Sequence, residues 1–391
     1  MKIVCTGDWH AFNFTDFSKS LMVVWDDATM RYKDVTENSE DFPEAKEMSS
    51  RFFNILKGIC DMRDYCIVNK INNVLLAGDI FHKRSTIEVV VFNAIYKVLD
   101  SFYNTSISVH IIAGNHDQVD SSTIPQSSIH PFREIAHTIE SPEYFKITEN
   151  NETVEVVALP YSKDKGFVLS SMKELREQCE SPKDAILMCH LGITGGTVGS
   201  GMYAMSDEYG LKDLMYNKWK YVVCGHYHQP QLLEYNSIYT GTPVQNSFGD
   251  ELKGKDGYNG FFVVDTSKRW DIQFIPIIAP RFITVSSTEE LEQYDSEFLT
   301  NNYVRVKASA KDAEDIKDSL EELLGEDSAQ EVRLELEKDY ATEQRSEIGV
   351  SQSFEETVKI YAQERCEDSD KVDYFTSRGL EILSEATVGG K

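Results

Sequence analysis

VHIIAGNHD, residues 109–117, is a short apolar run that ends in a glycine followed by Asn115, His116 and Asp117. An apolar run of this length bounded by glycine is typical of a buried strand, so the polar side chains should lie where the strand passes into a loop. Four more stretches have a similar layout. They are Gly7-Asp8-Trp9-His10, Gly78-Asp79-Ile80-Phe81-His82, Cys189-His190-Leu191-Gly192 and Gly225-His226-Tyr227-His228. Five strand ends are therefore predicted to carry side chains that bind metal ions.

The segments between these stretches alternate in their predicted secondary structure. Strands are predicted at 1–7, 74–77, 109–113, 154–159, 185–189, 221–224, 260–265 and 270–276, and helices at about 44–69, 86–102 and 163–178. Repeated strand, helix and strand predict an α/β layered domain, with β-sheets flanked by helices. Ligand sites in open sheets form beyond the carboxyl ends of the strands, and all five stretches fall there.

Composition indicates further parts beyond this main domain. We expect the main domain to span 1–280, with an acidic insertion at 11–43. A small α/β domain is expected at 281–338, with strands at 302–308 and 331–337 flanking a helix at 311–324. A polar linker should follow at 339–353, and then C-terminal helices at 354–391.

Charge and cysteine content limit the function classes. The 391 residues carry a net charge of −26, of which residues 286–391 contribute −16 and residues 1–285 contribute −10. This acidity argues against unaided, charge-driven DNA binding, but leaves open a DNA enzyme that depends on metal ions and a partner. The seven cysteines have no CxxC spacing, and no apolar run approaches the roughly 20 residues of a membrane span. A cytoplasmic protein without membrane contact is expected.

The side-chain types at the strand ends indicate which metals could bind. Carboxylate, amide and imidazole together favour Mn²⁺, Fe²⁺ or Zn²⁺ over Mg²⁺ alone, and the lack of cysteine among them disfavours a structural zinc site. Two such ions activate a water and clamp a phosphate for in-line attack. That chemistry needs no protein nucleophile, and no nucleophile motif is found in the chain.

The order of the five stretches and the residues in them resemble the motifs of the calcineurin-like metallophosphoesterases, and the resemblance covers residues 1–280. Within that superfamily they are similar to the SbcD-type nuclease subunits of double-strand-break repair, and the C-terminal region is most similar to that of phage recombination endonuclease subunits. Two stretches resemble the nuclease branch in particular: Tyr239-Thr240-Gly241-Thr242-Pro243 and Asn246-Ser247-Phe248-Gly249-Asp250-Glu251. The resemblance implies a metallophosphoesterase nuclease domain at 1–280 and a capping domain at 281–338.

The resemblance also implies a role for each side chain. One divalent ion would be held by Asp8, His10 and His228, a second by Asn115, His190 and His226, and Asp79 would bridge the two. His116 would not be a ligand; it would stabilise or protonate the leaving 3′ oxygen, with Asp117 orienting it. The expected ions are two Mn²⁺ per chain. Asp8 and Asp79 lie further apart in sequence than is usual in the family, because of the 11–43 insertion.

At the level of function, the resemblance implies the catalytic subunit of a recombination or repair complex. It would be a 3′-to-5′ double-strand DNA exonuclease and single-strand endonuclease, working with an SMC-like ATPase of the SbcC type that binds the 354–391 helices. A homodimer through the helices at 44–69 and 86–102 is expected, although core packing would explain their apolar faces equally well. A phage-encoded protein would act in the host cytoplasm.

Alternative functions remain open from the residues. A protein phosphatase or small-molecule phosphodiesterase could use the same chemistry, although the Asp-Arg-Gly expected of a phosphatase is replaced after Asp79 by Ile80-Phe81-His82. A non-catalytic DNA-end or ATPase-binding scaffold is the alternative from a different class. The glycine-rich run at 192–201 is either a loop that meets DNA phosphates or an ordinary connection.

Other histidines have competing interpretations. His82 is predicted to be structural or to support a ligand, and His110 alternates with apolar neighbours as a sheet residue does. His130 and His137 fall in a segment that could approach DNA, but ordinary surface histidines are the more common case.

Overall fold

The computed structural model describes residues 1–120, 125–197, 209–252, 257–308, 312–324 and 331–336, together with residue 372 and residues 376–378. The chain divides into two compact units, Met1–Leu336 and Glu337–Lys391. The linker predicted at 339–353 and nearly all of the helical region predicted at 354–391 lie outside the described residues.

Strands make up most of the regular structure. They are β1 (Lys2–Thr6), β2 (Ser20–Asp26), β3 (Arg31–Asp34), β4 (Lys46–Ser49), β5 (Asn73–Leu76), β6 (Ser108–Ile112), β7 (His137–Ile139), β8 (Glu143–Glu149), β9 (Glu152–Leu159), β10 (Ile186–His190), β11 (Tyr221–Gly225), β12 (Gln231–Glu234), β13 (Ser237–Tyr239), β14 (Gly260–Asp265), β15 (Asp271–Pro276), β16 (Phe282–Val285), β17 (Tyr303–Ala308) and β18 (Glu331–Leu336). The helices are α1 (Ser50–Asn69), α2 (Val89–Asn104), α3 (Lys165–Glu177), α4 (Thr288–Leu291), α5 (Ser296–Thr300) and α6 (Asp312–Leu324).

Two six-stranded sheets form the centre of the unit. Their strand orders are β15-β14-β1-β5-β6-β7 and β12-β13-β11-β10-β9-β8. Within them β1, β5, β6 and β7 run parallel, as do β9, β10, β11 and β13. Parallel strands of one sheet end on the same edge, so the predicted ligand stretches after β1, β5 and β6 leave the first sheet on one side. Those after β10 and β11 likewise leave the second sheet on one side.

Alternating side chains on each strand explain why the two sheets stack. On β1, Ile3 and Cys5 face the second sheet, while Val4 packs under the helices on the outer side. On β10, Met188 faces the first sheet and Leu187 faces outward. Successive strand residues point to opposite faces, so strands buried on both faces carry apolar residues at every position.

Helices cover the outer face of each sheet. Apolar residues of α1 and α2 pack on the first sheet, and those of α3 pack on the second. The result is a helix, sheet, sheet, helix sandwich, which confirms the predicted α/β layered fold of sheets flanked by helices. Among the described residues, no helix has the length and apolar character to cross a bilayer.

The predicted start of the first helix is wrong. We expected it near Glu44, but α1 begins at Ser50, where the hydroxyl of Ser49 accepts a hydrogen bond from the Phe52 amide at 3.2 Å. The preceding residues, Lys46–Ser49, pair as β4 with β2 instead. Their helix-compatible composition is overridden by a tertiary partner that the local pattern does not reveal.

Part of the 11–43 insertion forms an antiparallel sheet with β4, in the order β3-β2-β4. Val23 on β2 and Met48 on β4 are buried in the same apolar cluster as α1. Arg63 of α1 is also buried and donates to the carbonyl oxygen of Thr29, between β2 and β3, at 3.3 Å. The insertion is therefore packed on the helical layer over part of its length.

A third sheet follows the sandwich, with parallel strands in the order β16-β17-β18. Ile316 and Leu320 of α6 pack on its apolar residues together with Leu291 and Leu299 of the two short helices. We call β16–β18 the capping sheet. The strand at 302–308 and the helix at 311–324 expected from the sequence correspond to β17 and α6. The limits of a separate capping domain remain a prediction.

Candidate metal centre

The strand ends that carry the predicted ligands have unusual backbone conformations. Asp8, His10 and Asp79 have φ angles of 52°, 45° and 54°, and His226 has 106°. Non-glycine residues with positive φ cost free energy and are concentrated at functional sites. Backbone hydrogen bonds hold these turns: the Asp8 amide donates to the Gly78 carbonyl at 2.9 Å, and the His10 amide to the Asp79 carbonyl at 3.0 Å.

The backbone at Gly114 passes so close to Asp79 that a side chain at this position would collide with it. A Cβ atom at this position would lie 2.2 Å from Oδ1 of Asp79 and 2.4 Å from its amide nitrogen. We therefore expect Gly114→Ala to displace Asp79, to weaken Mn²⁺ binding and to lower the free energy of unfolding by about 1–3 kcal/mol. Thermal unfolding and Mn²⁺ titration would measure both effects.

Gly166→Ala is the matched control for this substitution, because a Cβ there would contact only Oδ1 of Asp164, at 3.3 Å. Equal behaviour of the two variants would contradict the close approach that we assign to Gly114.

The first predicted ligand set comes together. Asp8, His10 and His228 place one donor atom each within 4.8 Å of one another. His10 is 2% exposed, and neither of its ring nitrogens has a hydrogen-bond partner among the described residues. Burial lowers the pKa of His10 well below its ordinary value, so the ring is neutral and has a lone pair to offer. A buried imidazole in this state fits a metal ligand, because buried polar atoms otherwise find partners.

The second predicted set surrounds the side-chain oxygen of Asn115. Oδ1 lies 2.9 Å from Nε2 of His190 and 2.9 Å from Nδ1 of His226. His190 donates through Nδ1 to the carbonyl of Ala77 at 2.7 Å, which leaves Nε2 facing the centre. Metal bonds of about 2.1 Å at right angles place neighbouring donor atoms about 3 Å apart. The spacing of these three side chains therefore suits a common ion.

Asp79 lies between the two sets. Its Oδ2 is 3.6 Å from Nε2 of His10 and 3.4 Å from Nε2 of His190, one ring from each set. Burial would raise the pKa of Asp79, but the positive charge of His190 and its hydrogen bond hold that pKa well below its usual range. A charged carboxylate in this position can offer an oxygen to each of two ions, as the sequence resemblance implies.

The centre has an excess of buried negative charge. Burial and the neighbouring Asp79 raise the pKa of Asp8 to about 7, although His190 opposes the shift. Burial would lower the pKa of His190, but the charge of Asp79 raises it to about 10. Buried charges need partners or metal ions. A bound divalent cation would neutralise the carboxylates of Asp8 and Asp79 in place of the proton on His190.

His116 borders both sets without the predicted support from Asp117. Nδ1 of His116 lies 2.5 Å from the carbonyl oxygen of His82, to which it donates. Both carboxylate oxygens of Asp117 accept backbone amides instead: Oδ1 from Ile80 and Phe81 at 3.0 and 3.2 Å, and Oδ2 from Gly114 at 3.0 Å. The expectation that Asp117 orients His116 is therefore corrected: Asp117 holds together the two loops that carry Asp79 and Asn115.

The remaining histidines have distinct environments. The ring of His82 packs on Phe14 and lies beside His116, with ring centroids 5.1 and 5.9 Å away. On β6 and β7, Nδ1 of His110 lies 3.2 Å from Nδ1 of His137, and burial lowers the pKa of His110 to about 3. His130 pairs with Glu140 on the surface at 2.7 Å. Of the glycine-rich run at 192–201, residues 198–201 lie outside the described residues.

One side chain of the centre had no predicted role. Oδ1 of Asp250 lies 2.8 Å from Nδ1 of His228, and Asp250 is 3% exposed. Burial would lower the pKa of His228, but the hydrogen bond to Asp250 raises it to about 9. The only sequence signal for this contact was the position of Asp250 in the 246–251 stretch.

Comparison with known families matches residues 1–230 to the Calcineurin-like phosphoesterase family. The chain belongs to this family. Members are metal-dependent phosphoester hydrolases, and the strand-end cluster is the candidate metal centre of this calcineurin-like phosphoesterase. A search of curated proteins finds no match.

Solved structures resemble this calcineurin-like phosphoesterase only at low sequence identity and low TM-score. A dimetal phosphatase from Danio rerio is 10% identical, with a TM-score of 0.34, over 67% of this chain and 91% of that chain. The phosphoesterase Yfce from E. coli is 9% identical, with a TM-score of 0.28, over 68% and 88%. A hypothetical protein from Thermus thermophilus is 12% identical, with a TM-score of 0.32, over 62% and 76%.

Proposed function

We propose that this phosphoesterase is a DNA nuclease that uses two divalent ions, with Mn²⁺ as the expected metal. One observation carries the proposal: two ligand sets meet at Asp79, and His116 stands beside them. The similarity of the 239–243 and 246–251 stretches to SbcD-type nucleases supports DNA as the substrate. Because Asp250 contacts His228, the second of these stretches would contribute a side chain to the proposed metal centre.

The proposed roles of the chain's own residues follow from their contacts. Asp8, His10 and His228 would hold one ion, Asn115, His190 and His226 the other, and Asp79 would contribute to both. Bound ions would neutralise phosphate charge and lower the pKa of the attacking water. The His82 carbonyl fixes the His116 ring through Nδ1, so a protonated His116 can deliver the Nε2 proton to the leaving 3′ oxygen.

Charge places a condition on DNA binding. Residues 1–285 carry a net charge of −10 and the remaining residues −16. Phosphate backbones are attracted by clustered positive charge, which this chain as a whole does not offer. We propose that affinity comes from the bound ions and from a partner, an SMC-like ATPase of the SbcC type, in the cytoplasm of the cell or of a phage host.

The proposed partner contacts can be separated from catalysis. Deleting residues 354–391 should leave hydrolysis of a small phosphodiester unchanged, because every side chain proposed for the metal centre lies within residues 8–250. It should abolish association with the ATPase, because the proposed contact lies in the deleted segment. Co-purification and turnover of bis-p-nitrophenyl phosphate would measure the two effects. A truncated protein that still bound the ATPase would place the contact elsewhere.

A homodimer through α2 is also proposed. Val89, Tyr96 and Tyr103 recur at every seventh residue of this helix and are 75%, 36% and 58% exposed. Residues seven apart lie on one face of a helix, so the three form an apolar stripe. Such a stripe suits contact with the same helix of a second copy.

A substrate panel tests the proposed reaction. Duplex DNA, bis-p-nitrophenyl phosphate and p-nitrophenyl phosphate should be compared with Mn²⁺ present. The proposal predicts hydrolysis of DNA and of the diester, with little action on the monoester. Preference for the monoester would favour a phosphatase, and a protein that binds no ions and hydrolyses no ester would favour the scaffold alternative.

A further inference from the structure

Asp250 contacts one of the proposed metal ligands, His228. Its Oδ1 accepts a hydrogen bond from Nδ1 of His228 at 2.8 Å. A ring that donates through Nδ1 presents Nε2 with its lone pair, so the partner of the first nitrogen determines which atom can bind a metal. His228 shares a ligand group with Asp8 and His10.

The carboxylate of Asp250 is itself fixed on its other oxygen. Oδ2 accepts from the Asn246 amide at 2.9 Å and lies 3.4 Å from Oγ of Ser247. The Asp250 amide donates in turn to the Ser247 carbonyl at 3.0 Å. A short turn of the chain therefore holds the carboxylate, and any movement of that turn changes where the His228 ring can point.

The same turn is attached to the capping sheet on both sides of Asp250. Oε1 of Gln245 accepts from the Phe282 amide at 2.8 Å, and Oε1 of Glu251 accepts from the Thr284 amide at 3.0 Å. Phe282 and Thr284 are two residues apart on β16, the edge strand of that sheet. Alternate amides of an edge strand point away from its neighbour, so these two side chains take the place of a missing strand.

Aromatic packing reinforces the attachment. The ring of Phe248 lies 4.9 Å from that of Phe282 and 5.0 Å from that of Phe17, as centroid distances. The guanidinium of Arg305 on β17 lies over the Phe248 ring at 4.3 Å. The middle of the turn is thus packed on the capping sheet while Asp250 faces the metal centre.

We propose that Asp250 is a positioning residue for His228, and that residues 245–251, the connecting segment, transmit the position of the capping sheet to the metal centre. A shift of β16 would move the connecting segment through Gln245 and Glu251, and with it the ring of His228. The inference rests on the metal centre of the proposed function, but it does not depend on DNA as the substrate.

Calorimetric titration of the full chain with MnCl₂ tests the role of Asp250. Asp250→Asn should weaken Mn²⁺ binding at one of the two sites about 10–100-fold, because loss of a partner behind a histidine ligand has effects of this size. Unchanged Mn²⁺ affinity would overturn the assignment. If this variant does not fold, Asp250→Glu keeps a carboxylate at a different reach; it should weaken binding by less, and wild-type affinity there would equally contradict a positional role.

Asp265→Asn is the matched control. Asp265 is also buried, accepts from the Ser267 amide and hydroxyl at 3.0 and 2.7 Å, and has Lys268 nearby at 3.6 Å. It pairs with Lys2 at the start of β1, whereas the metal ligands follow the end of that strand. Its Mn²⁺ titration should match that of the wild type, and circular dichroism would verify that all variants are folded.

Glu251→Ala tests the link to the capping sheet. It removes the acceptor of the Thr284 amide and leaves Asp250 in place, so Mn²⁺ affinity should fall several-fold, by less than in Asp250→Asn. Wild-type affinity in Glu251→Ala would overturn the coupling. Failure of the wild-type protein to bind Mn²⁺ at all would instead contradict the proposed function, which distinguishes the two.

Discussion

Asp79→Asn is expected to reduce Mn²⁺-dependent hydrolysis of bis-p-nitrophenyl phosphate by about 10³-fold or more. Asparagine keeps the size of the side chain and an oxygen that can accept the His116 amide, which Asp79 holds at 2.7 Å. It loses the negative charge that lies between His10 and His190. Turnover and the number of bound Mn²⁺ ions should be measured on the same preparations.

Asp265→Asn, far from the centre, controls for the loss of one buried carboxylate and should hydrolyse the diester at the wild-type rate. If Asp79→Asn retained both ions and more than a tenth of the wild-type rate, Asp79 would not be the shared ligand of a two-ion centre.

His116→Ala is expected to keep both ions and to lose about 10²–10⁴-fold in the rate of cleavage, the range typical of a general acid. This substitution distinguishes a general acid from a metal ligand, because donor atoms of His116, His10 and Asp79 lie close enough together to share an ion. Its Nδ1 is engaged with the His82 carbonyl, which fits a ring positioned to transfer a proton. Ion content and single-turnover cleavage would separate the two roles.

His130→Ala provides the histidine control, since His130 is on the surface and pairs with Glu140. Loss of a bound ion in His116→Ala, but not in His130→Ala, would show that His116 is a ligand and would contradict the role proposed here.

The positions of the ligand residues were predictable because each follows a short apolar strand. A strand end is determined locally, by an apolar run and a glycine, and parallel strands bring such ends together. Asp8, Asp79 and His190 could therefore be placed at one edge of the sheets before any contact was known. Their distances depend on the stacking of two sheets, which no local pattern specifies.

Contacts between distant segments explain what sequence reasoning missed. β4 was expected to be helical because its local composition allows a helix. Its partner β2 lies more than twenty residues earlier, so a local pattern could not reveal the pairing. Asp117 was assigned to its neighbour His116, but its carboxylate accepts amides from the loop of Asp79. The contact between Asp250 and His228 crosses between two loops that have no shared periodicity.

Cleavage of end-labelled duplex DNA with Mn²⁺, by the wild type and by Asp79→Asn in parallel, tests the central proposal most directly. We predict stepwise loss of nucleotides from the 3′ end by the wild type and none by the variant. Intact DNA in both reactions, from a wild-type protein that holds two Mn²⁺ ions, and again after addition of the ATPase partner, would contradict the assignment of DNA as the substrate.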